Sequence, residues 1–281
     1  MMLIDLHTHS AFSPDAEDGV QAMIDEALGR GVKVLAITDH CDCNFWETAP
    51  SDSVRDHEMY GARFYTKASI ARVDDLKKIY SGRIDLLCGT ELGQPLQNTA
   101  AAEKIVSDKR LDFTIGSHHM NRGRDDFYWL EYEKMDSSEI VSLLDDYFEE
   151  VLEMCRWGRF DVLGHLTYPL RYITERGRIS DIDMKRYDEP IREIFRTLIH
   201  NGKGIEINTS GLRQPIGKTL PDLEYVKLYY DMGGRILTVG SDAHKKGDIG
   251  AGIAEGITIA KQAGFTHLTY FEKHSPNYIQ I

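Results

Sequence analysis

The sequence predicts an α/β fold in which seven parallel strands form a ring, with helices between most of them. Two observations carry this. Seven apolar stretches each end in residues able to bind a metal: LIDLHTH (His7, His9), VLAITDH (Asp39, His40), IDLLCGTE (Glu91), LDFTIGSHH (His118, His119), FDVLGH (His165), GIEIN (Glu206, Asn208) and ILTVGSDAH (Asp242, His244). Helical periodicity fills most of the intervals between them. Parallel strands in a ring bring their C-terminal ends to one cavity, which is where barrel enzymes keep their chemistry.

The elements follow in order. Leu3–His9 is extended. Asp18–Arg30 carries Val20, Met23, Ile24, Ala27 and Leu28 at helical spacing, and Gly31 stops it. Lys33–Asp39 is the second strand. Cys41–Ala62 lacks periodicity, holds Asn44, Phe45, Trp46 and Pro50, and reads as a loop of the length that covers substrates. Ala62–Tyr80 reads as helix, Ile84–Gly89 as strand, Ala100–Ser107 as helix and Leu111–Gly116 as strand. Ser137–Trp157 is the most amphipathic helix, with Ile140, Leu144, Phe148, Val151 and Met154 in step. Phe160–Leu163 is a strand, Ile182–His200 a helix, Gly204–Ile207 a strand and Leu223–Met232 a helix. Arg235–Val239 is the seventh strand and Ile249–Ala263 a helix, and a last strand near His267–Phe271 closes or flanks the ring. Repeated strand–helix units imply parallel pairing and right-handed crossovers. No composition shift divides the chain, so residues 1–281 read as one domain.

Bulk properties narrow the function. The chain has 281 residues, 42% of them hydrophobic, enough for a sizeable core. A net charge of -12 opposes a nucleic-acid partner, because phosphate backbones need a basic footprint. It does not oppose a small phosphorylated substrate, since a metal ion dominates the charge of its own cleft. The four cysteines, Cys41, Cys43, Cys88 and Cys155, follow no disulfide spacing and read as reduced thiols. Cys41-x-Cys43 leaves a thiolate site as the lesser alternative. The N-terminus enters a strand at once and no run approaches 18 apolar residues, so a cytoplasmic protein is expected, neither secreted nor in a membrane. Oligomeric state has no signature here.

His7 and His9, two apart on an extended segment, face the same way. A single such pair also fits two packing histidines. Asp39-His40 ends a run that would be buried on both sides, and Asp242-x-His244 repeats the arrangement at the seventh strand. Glycines stand beside several of these positions, which permits close approach of backbone and metal. Unpaired buried charges cost several kcal/mol each, a cost that metal binding removes. Ligands of His, Asp and Glu type suit hard or borderline divalent ions.

HTHS, TDH, GTE, Ser117-x-His119, GH and SDAH, in that order, resemble the polymerase and histidinol phosphatase (PHP) superfamily over nearly the whole chain. The length, Asn44-Phe45-Trp46 and the segment Glu206–Arg213 are similar to its stand-alone histidinol-phosphate phosphatases. The resemblance implies a distorted (β/α)7 barrel with two to three divalent ions, drawn from manganese, iron and zinc. It implies His7, His9, Glu91 and Asp242 as ligands of the buried pair, His119, His165 and Glu91 as the set shared with the next ion, and Asp15, His40 and His244 as the outer site. Many relatives have histidine where Asp15 stands. A harder oxygen ligand there favours manganese or iron over zinc, and the alternative is an N-cap for the following helix. Of the doublet, the motif spacing selects His119 and leaves His118 to packing. Asp39 is expected to orient a ligand histidine. His57, His200, His267 and His274 are read as non-ligands.

The expected reaction is hydrolysis of L-histidinol phosphate in histidine biosynthesis. Arg171 in GHLTYPLR and Arg213 in NTSGLR are placed to grip the phosphate. Asp242 or His244 supplies the proton to the leaving oxygen, and the sequence does not choose between them. Phe45, Trp46 and Glu206 are the candidates for the amine and imidazole end. The alternatives are a phosphoesterase of the same fold with another ester or a nucleotide, a metal-binding regulatory domain without activity, and an amidohydrolase. The last is disfavoured because no lysine stands at a strand end.

Overall fold

The computed structural model describes residues 3–45 and 63–281. Its main sheet contains β1 (Leu3–Asp5), β2 (Val32–Ile37), β4 (Asp85–Gly93), β5 (Phe113–Ser117), β6 (Val162–Leu163), β7 (Gly204–Asn208) and β8 (Leu237–Gly240), paired in that order and all parallel. A short β3 (His40–Asp42) pairs with the outer end of β4. The ring is nearly closed. Leu6 N donates to Val239 O at 3.1 Å, Asp242 N to His7 O at 2.8 Å and His9 N to Ala243 O at 2.8 Å. The expected seven-stranded ring is therefore present, and the residues that close it are the two ligand motifs themselves.

Helices lie between the strands: α1 (Val20–Gly29), α2 (Arg63–Tyr80), α3 (Thr99–Val106), α4 (Ser137–Trp157), α5 (Tyr168–Glu175), α6 (Asp188–His200), α7 (Leu223–Asp231) and α8 (Ile253–Ala263). Strand alternation sorts the core into two faces. On β2, Val34 and Ala36 pack with Ile4, Leu6, Leu87 and Phe113, whereas Leu35 and Ile37 pack with Met23, Ile24 and Ile70 of α1 and α2.

Four differences from the expected elements bear on function. β4 runs to Gly93 rather than Gly89, so Glu91 lies inside a strand and is held by pairing on both sides. β3 forms within the segment read as loop. The helix α5 was not expected, although Tyr168-Pro169 at its start is a helix-entry signal. α8 begins at Ile253 because Gly250 and Gly252 take left-handed conformations, with φ of 72° and 74°.

The last strand, β9 (His267–Glu272), flanks the barrel instead of closing it. It pairs antiparallel with β10 (Ser275–Gln280). The hairpin tip, Lys273-His274, is tied to the N-terminal ends of β5 and β6. His274 N donates to Asp112 O at 2.9 Å, and His274 Nδ1 lies 2.8 Å from Asp161 Oδ2. Asp112 is buried and also receives Lys77 Nζ, Lys273 Nζ at 3.2 Å and Cys88 N at 2.9 Å. Burial would raise its pKa, but Lys77, the Cys88 N–H and Lys273 outweigh this and hold it below the ordinary value. A carboxylate with a depressed pKa stabilises the fold above its unfolded value of 3.8 and loses that contribution as pH falls through the folded value. Asp112→Ala is therefore expected to cost about 2–3 kcal/mol at pH 7, measured by urea unfolding. The gap to the wild type should close below pH 3.8, and the metal cluster at the opposite end of the barrel should keep its properties.

Candidate metal centre

Glu91 is the hub of the C-terminal cavity. Its Oε1 lies 2.7 Å from His165 Nε2 and 3.1 Å from His119 Nε2. Its Oε2 lies 2.8 Å from His40 Nδ1, 3.4 Å from His7 Nε2 and 3.5 Å from His9 Nε2. Asp242 Oδ1 faces His9 Nε2 at 3.4 Å, His244 Nδ1 at 3.6 Å and His7 Nε2 at 3.7 Å. Asp15 Oδ2 lies 3.1 Å from His244 Nε2 and 3.5 Å from His40 Nε2. All nine expected ligand residues thus meet in one cluster. Within it, ligand atoms of His7, His9 and Asp242, of His7, Glu91 and His165, and of His9, His40 and His244 fall within 4.8 Å of one another. A fourth such group, His40, Asp42 and His119, includes a residue absent from the expected set.

The donor set fits divalent cations. His7 Nδ1 is bonded to Glu206 Oε1 at 2.7 Å, and a carboxylate accepts, so this nitrogen carries the proton. His9 Nδ1 lies 3.2 Å from Ser13 Oγ, whose own hydrogen goes to Asp39 Oδ1 at 2.7 Å, so His9 Nδ1 also donates. Both Nε2 lone pairs then face each other across 3.1 Å. His119 repeats the pattern: Nδ1 lies 3.1 Å from Asp42 Oδ1, and Nε2 points at Glu91 and at His165 Nε2, 3.4 Å away. Acceptors converging on acceptors need a cation between them.

The electrostatics agree. Burial would lower the pKa of His7, but Glu206, Glu91 and Asp242 outweigh it and hold His7 well above its ordinary value. The same contest, with Glu91 and Asp42 on the other side, raises His119 to about 10. Burial, and then the charges of His40 and His244, take His9 down to about 3. Burial would raise Glu91, but His119, His7 and His40 keep it well below the usual carboxylate range. His7 and His119 therefore hold a proton unless a metal cation replaces it, so ion uptake at these two rings displaces protons.

Several expectations are resolved by position. Asp15 reaches the cluster and does not cap α1, whose N-cap is Gly19. His118 points away, with Nε2 3.1 Å from Asn121 Oδ1 and its ring against Tyr147. Asp39 touches no ligand histidine directly. It accepts from Ser10, Ser13 and Ser69, and acts on His9 through Ser13. Glu206 does not line the cavity as a substrate contact. It lies behind His7 and accepts from His165 N at 3.1 Å and Asn208 Nδ2 at 3.3 Å. Gly240 makes room for this pair rather than for a metal, since a Cβ there would stand 2.3 Å from His7 Cβ and 2.6 Å from Glu206 Oε1. Cys41 and Cys43 are buried free thiols outside the cluster. Phe45 ends a 3-10 turn, Cys43–Phe45, while Trp46 and His57 lie outside the described residues. His200 and His267 stand away from the cluster.

Reading the sequence missed Asp42, Asp126 and the tyrosines of α5. The pairing of β3 with β4 carries Asp42 to His119, and no local pattern announces that.

Arg171, on α5, is buried with its Cζ 4.3 Å over the Tyr168 ring. Nη1 lies 3.6 Å from Asp242 Oδ2 and 3.3 Å from Ser210 Oγ, whereas Nε and Nη2 have no partner among the described residues. Arg213 Nη2 donates to Ser241 O at 2.8 Å and Asp242 O at 3.4 Å. It thereby clamps the backbone at Asp242, whose φ of 55° is left-handed. Both arginines line a cavity of about 530 Å³ together with Glu91, His165, Asp242 and His244.

A family model described as the PHP domain matches residues 5–210. The chain belongs to the PHP-domain family. Among PHP relatives, the "Probable histidinol-phosphatase" of Thermotoga maritima is 29% identical over 266 residues, 95% of this chain and 94% of that one. The histidinol-phosphatase of Lactococcus lactis subsp. lactis is 25% identical over 280 residues, 96% of this chain and 95% of that one. The fold matches the crystal structure of histidinol phosphate phosphatase from Lactococcus lactis, complexed with zinc, L-histidinol and phosphate. The TM-score is 0.79 at 23% identity, over 98% of both chains. Among the described residues no helix is long and apolar enough to cross a membrane.

The doublet of this PHP chain offers a direct check. His119→Ala is expected to lose metal and turnover together, and His118→Ala to keep most of its metal, as read by elemental analysis. Equal losses would contradict the orientation of the two rings.

Proposed function

We propose that this protein is a metal-dependent phosphomonoesterase that hydrolyses L-histidinol phosphate to L-histidinol and phosphate. The carrying observation is the buried guanidinium of Arg171, with two nitrogens unengaged among the described residues, beside a cluster of converging imidazole and carboxylate acceptors. A phosphoryl group bridges those two features chemically. The substrate assignment is supported by the names of the relatives and by the ligands of the Lactococcus lactis structure.

Two to three divalent ions, drawn from manganese, iron and zinc, would be held by His7, His9, Glu91 and Asp242, by Glu91, His119 and His165, and by Asp15, His40 and His244. When bound, such ions supply Lewis-acid charge to the phosphoryl oxygens and bring the pKa of water toward neutrality. Arg171 binds the phosphoryl oxygens through Nε and Nη2, in the forked geometry that guanidinium provides. Arg213 adds positive charge from the loop after β7 and keeps Asp242 in place. Glu206, Asp42 and Ser13 orient the imidazoles of His7, His119 and His9. Asp242 or His244, both on the cavity wall, hands the proton to the leaving oxygen. The catalytic unit spans residues 1–281 as one domain, and the site of action is the cytoplasm.

Phosphate release from a panel of monoesters, with manganese present, tests this. The kcat/KM for L-histidinol phosphate should exceed that for p-nitrophenyl phosphate by at least about tenfold, a difference of about 1.4 kcal/mol in barrier. Equal values would leave only a general phosphoesterase.

A further inference from the structure

The cavity that holds Arg171, Arg213 and the ligand cluster also contains a carboxylate outside the expected ligand set, Asp126, which is 6% exposed. Asp126 Oδ1 accepts from Tyr128 N at 2.8 Å and from Tyr168 Oη at 3.1 Å. Its Oδ2 receives no hydrogen bond from the described residues, and no lysine or arginine among them lies within ion-pair distance. A buried carboxylate without a cationic partner is costly. Burial accordingly raises its pKa to about 6, against the smaller opposing charge of His119.

Around it stands an aromatic wall. The Tyr172 hydroxyl lies 3.1 Å from that of Tyr168, the Tyr128 ring lies 5.6 Å from Tyr172, and Trp129 lies 4.6 Å from Tyr128. Tyr128 and Trp129 are 50% and 46% exposed and line the cavity together. Tyr168 lies between Arg171, over its face, and Asp126, at its hydroxyl. A ligand that fills the cavity therefore meets the arginine cations and a carboxylate flanked by π-faces. Both the carboxylate and the rings attract ammonium.

We infer that Asp126 is a specificity-determining residue that binds the cationic amine of the substrate and selects ammonium-bearing phosphomonoesters over neutral ones. The inference rests on the phosphomonoesterase reading for the phosphate end, and it moves the recognition of the amine from Glu206, which lies behind His7, to Asp126. A neutral ester would leave the Asp126 carboxylate buried and unpaired, and sites built around such a contact discriminate strongly against ligands that lack it.

The test compares 3-aminopropylphosphonate with propylphosphonate, which differ only in the amine and are not hydrolysed. Calorimetry on the manganese-loaded protein should give a Kd ratio on the order of 10² in favour of the amine. D126N keeps an oxygen for Tyr128 N and Tyr168 Oη, and it should bring the ratio close to one, with the loss falling on the amino compound. A D126N protein that weakens both ligands equally, or leaves the ratio unchanged, overturns the inference. So does a wild type without preference, which decides the matter even if the variant does not fold. The substrate reading fails separately. If the amine is preferred and L-histidinol phosphate is no better a substrate than p-nitrophenyl phosphate, Asp126 stands and the histidinol assignment falls.

Discussion

Glu91→Gln is expected to abolish both metal retention and turnover. Both oxygens of Glu91 are engaged, Oε1 by His119 and His165, and Oε2 by His7, His9 and His40. The glutamine side chain has the same shape but no charge, and its amide nitrogen would present hydrogens to rings that themselves need an acceptor or a cation. Removing one partner from a buried charged cluster costs about 3–5 kcal/mol, which corresponds to a loss of roughly 10²–10⁴ in an equilibrium or rate constant. Elemental analysis after purification and assay in excess manganese separate the two effects. Activity restored in full by added metal would show that Glu91 contributes only affinity. Chelation of the wild type should reproduce the loss, and a metal-free protein with full activity would sink the metal reading altogether.

Arg171→Ala should be the most damaging change outside the ligand set. The side chain is buried, so truncation removes a phosphate contact and also leaves Asp242 Oδ2 without its cation. Truncating one member of a buried charge pair costs about 2–5 kcal/mol, or about thirty- to several thousandfold in kcat/KM. The loss should be shared by all phosphate esters, since the phosphoryl group is common to them, and metal content should hold. Arg171→Lys should recover little, because one ammonium cannot replace a fork already stacked on Tyr168. Arg213→Ala should differ in kind. Its guanidinium supports the carbonyls of Ser241 and Asp242, so activity and metal content should fall together.

Much of this site was legible because strand geometry is local. A period of two puts His7 and His9 on one side, and an apolar run with a polar end marks the C-terminal rim of a barrel strand. His40, Glu91, His165, Asp242 and His244 could be named from such endings, whereas Asp15 and the choice of His119 over His118 came from the resemblance to the PHP superfamily. Residues that act on the ligands from behind were harder. Asp42 meets His119 across 77 positions, and Glu206 meets His7 across 199. Nothing in the spacing of either pair predicts the contact. Glu206 shares the strand-end pattern of the ligands, which predicts a substrate residue, whereas its side chain turns beneath His7.

The amino-acid sequence by itself determined the alternation of strands and helices, the ring they build, the chemical type of the ligands and the net acidic charge. Those properties depend on periodicity and composition, which each segment carries alone. Only the tertiary structure decided that Asp15 is in the cluster, that His118 is out of it, that the last strand flanks the barrel, and that Asp126 shares Tyr168 and one cavity with Arg171. Each of those depends on the direction of a side chain relative to segments far away in the chain. That direction is set by pairing between strands and by packing of α5 on the barrel, not by the residue's own neighbours in sequence.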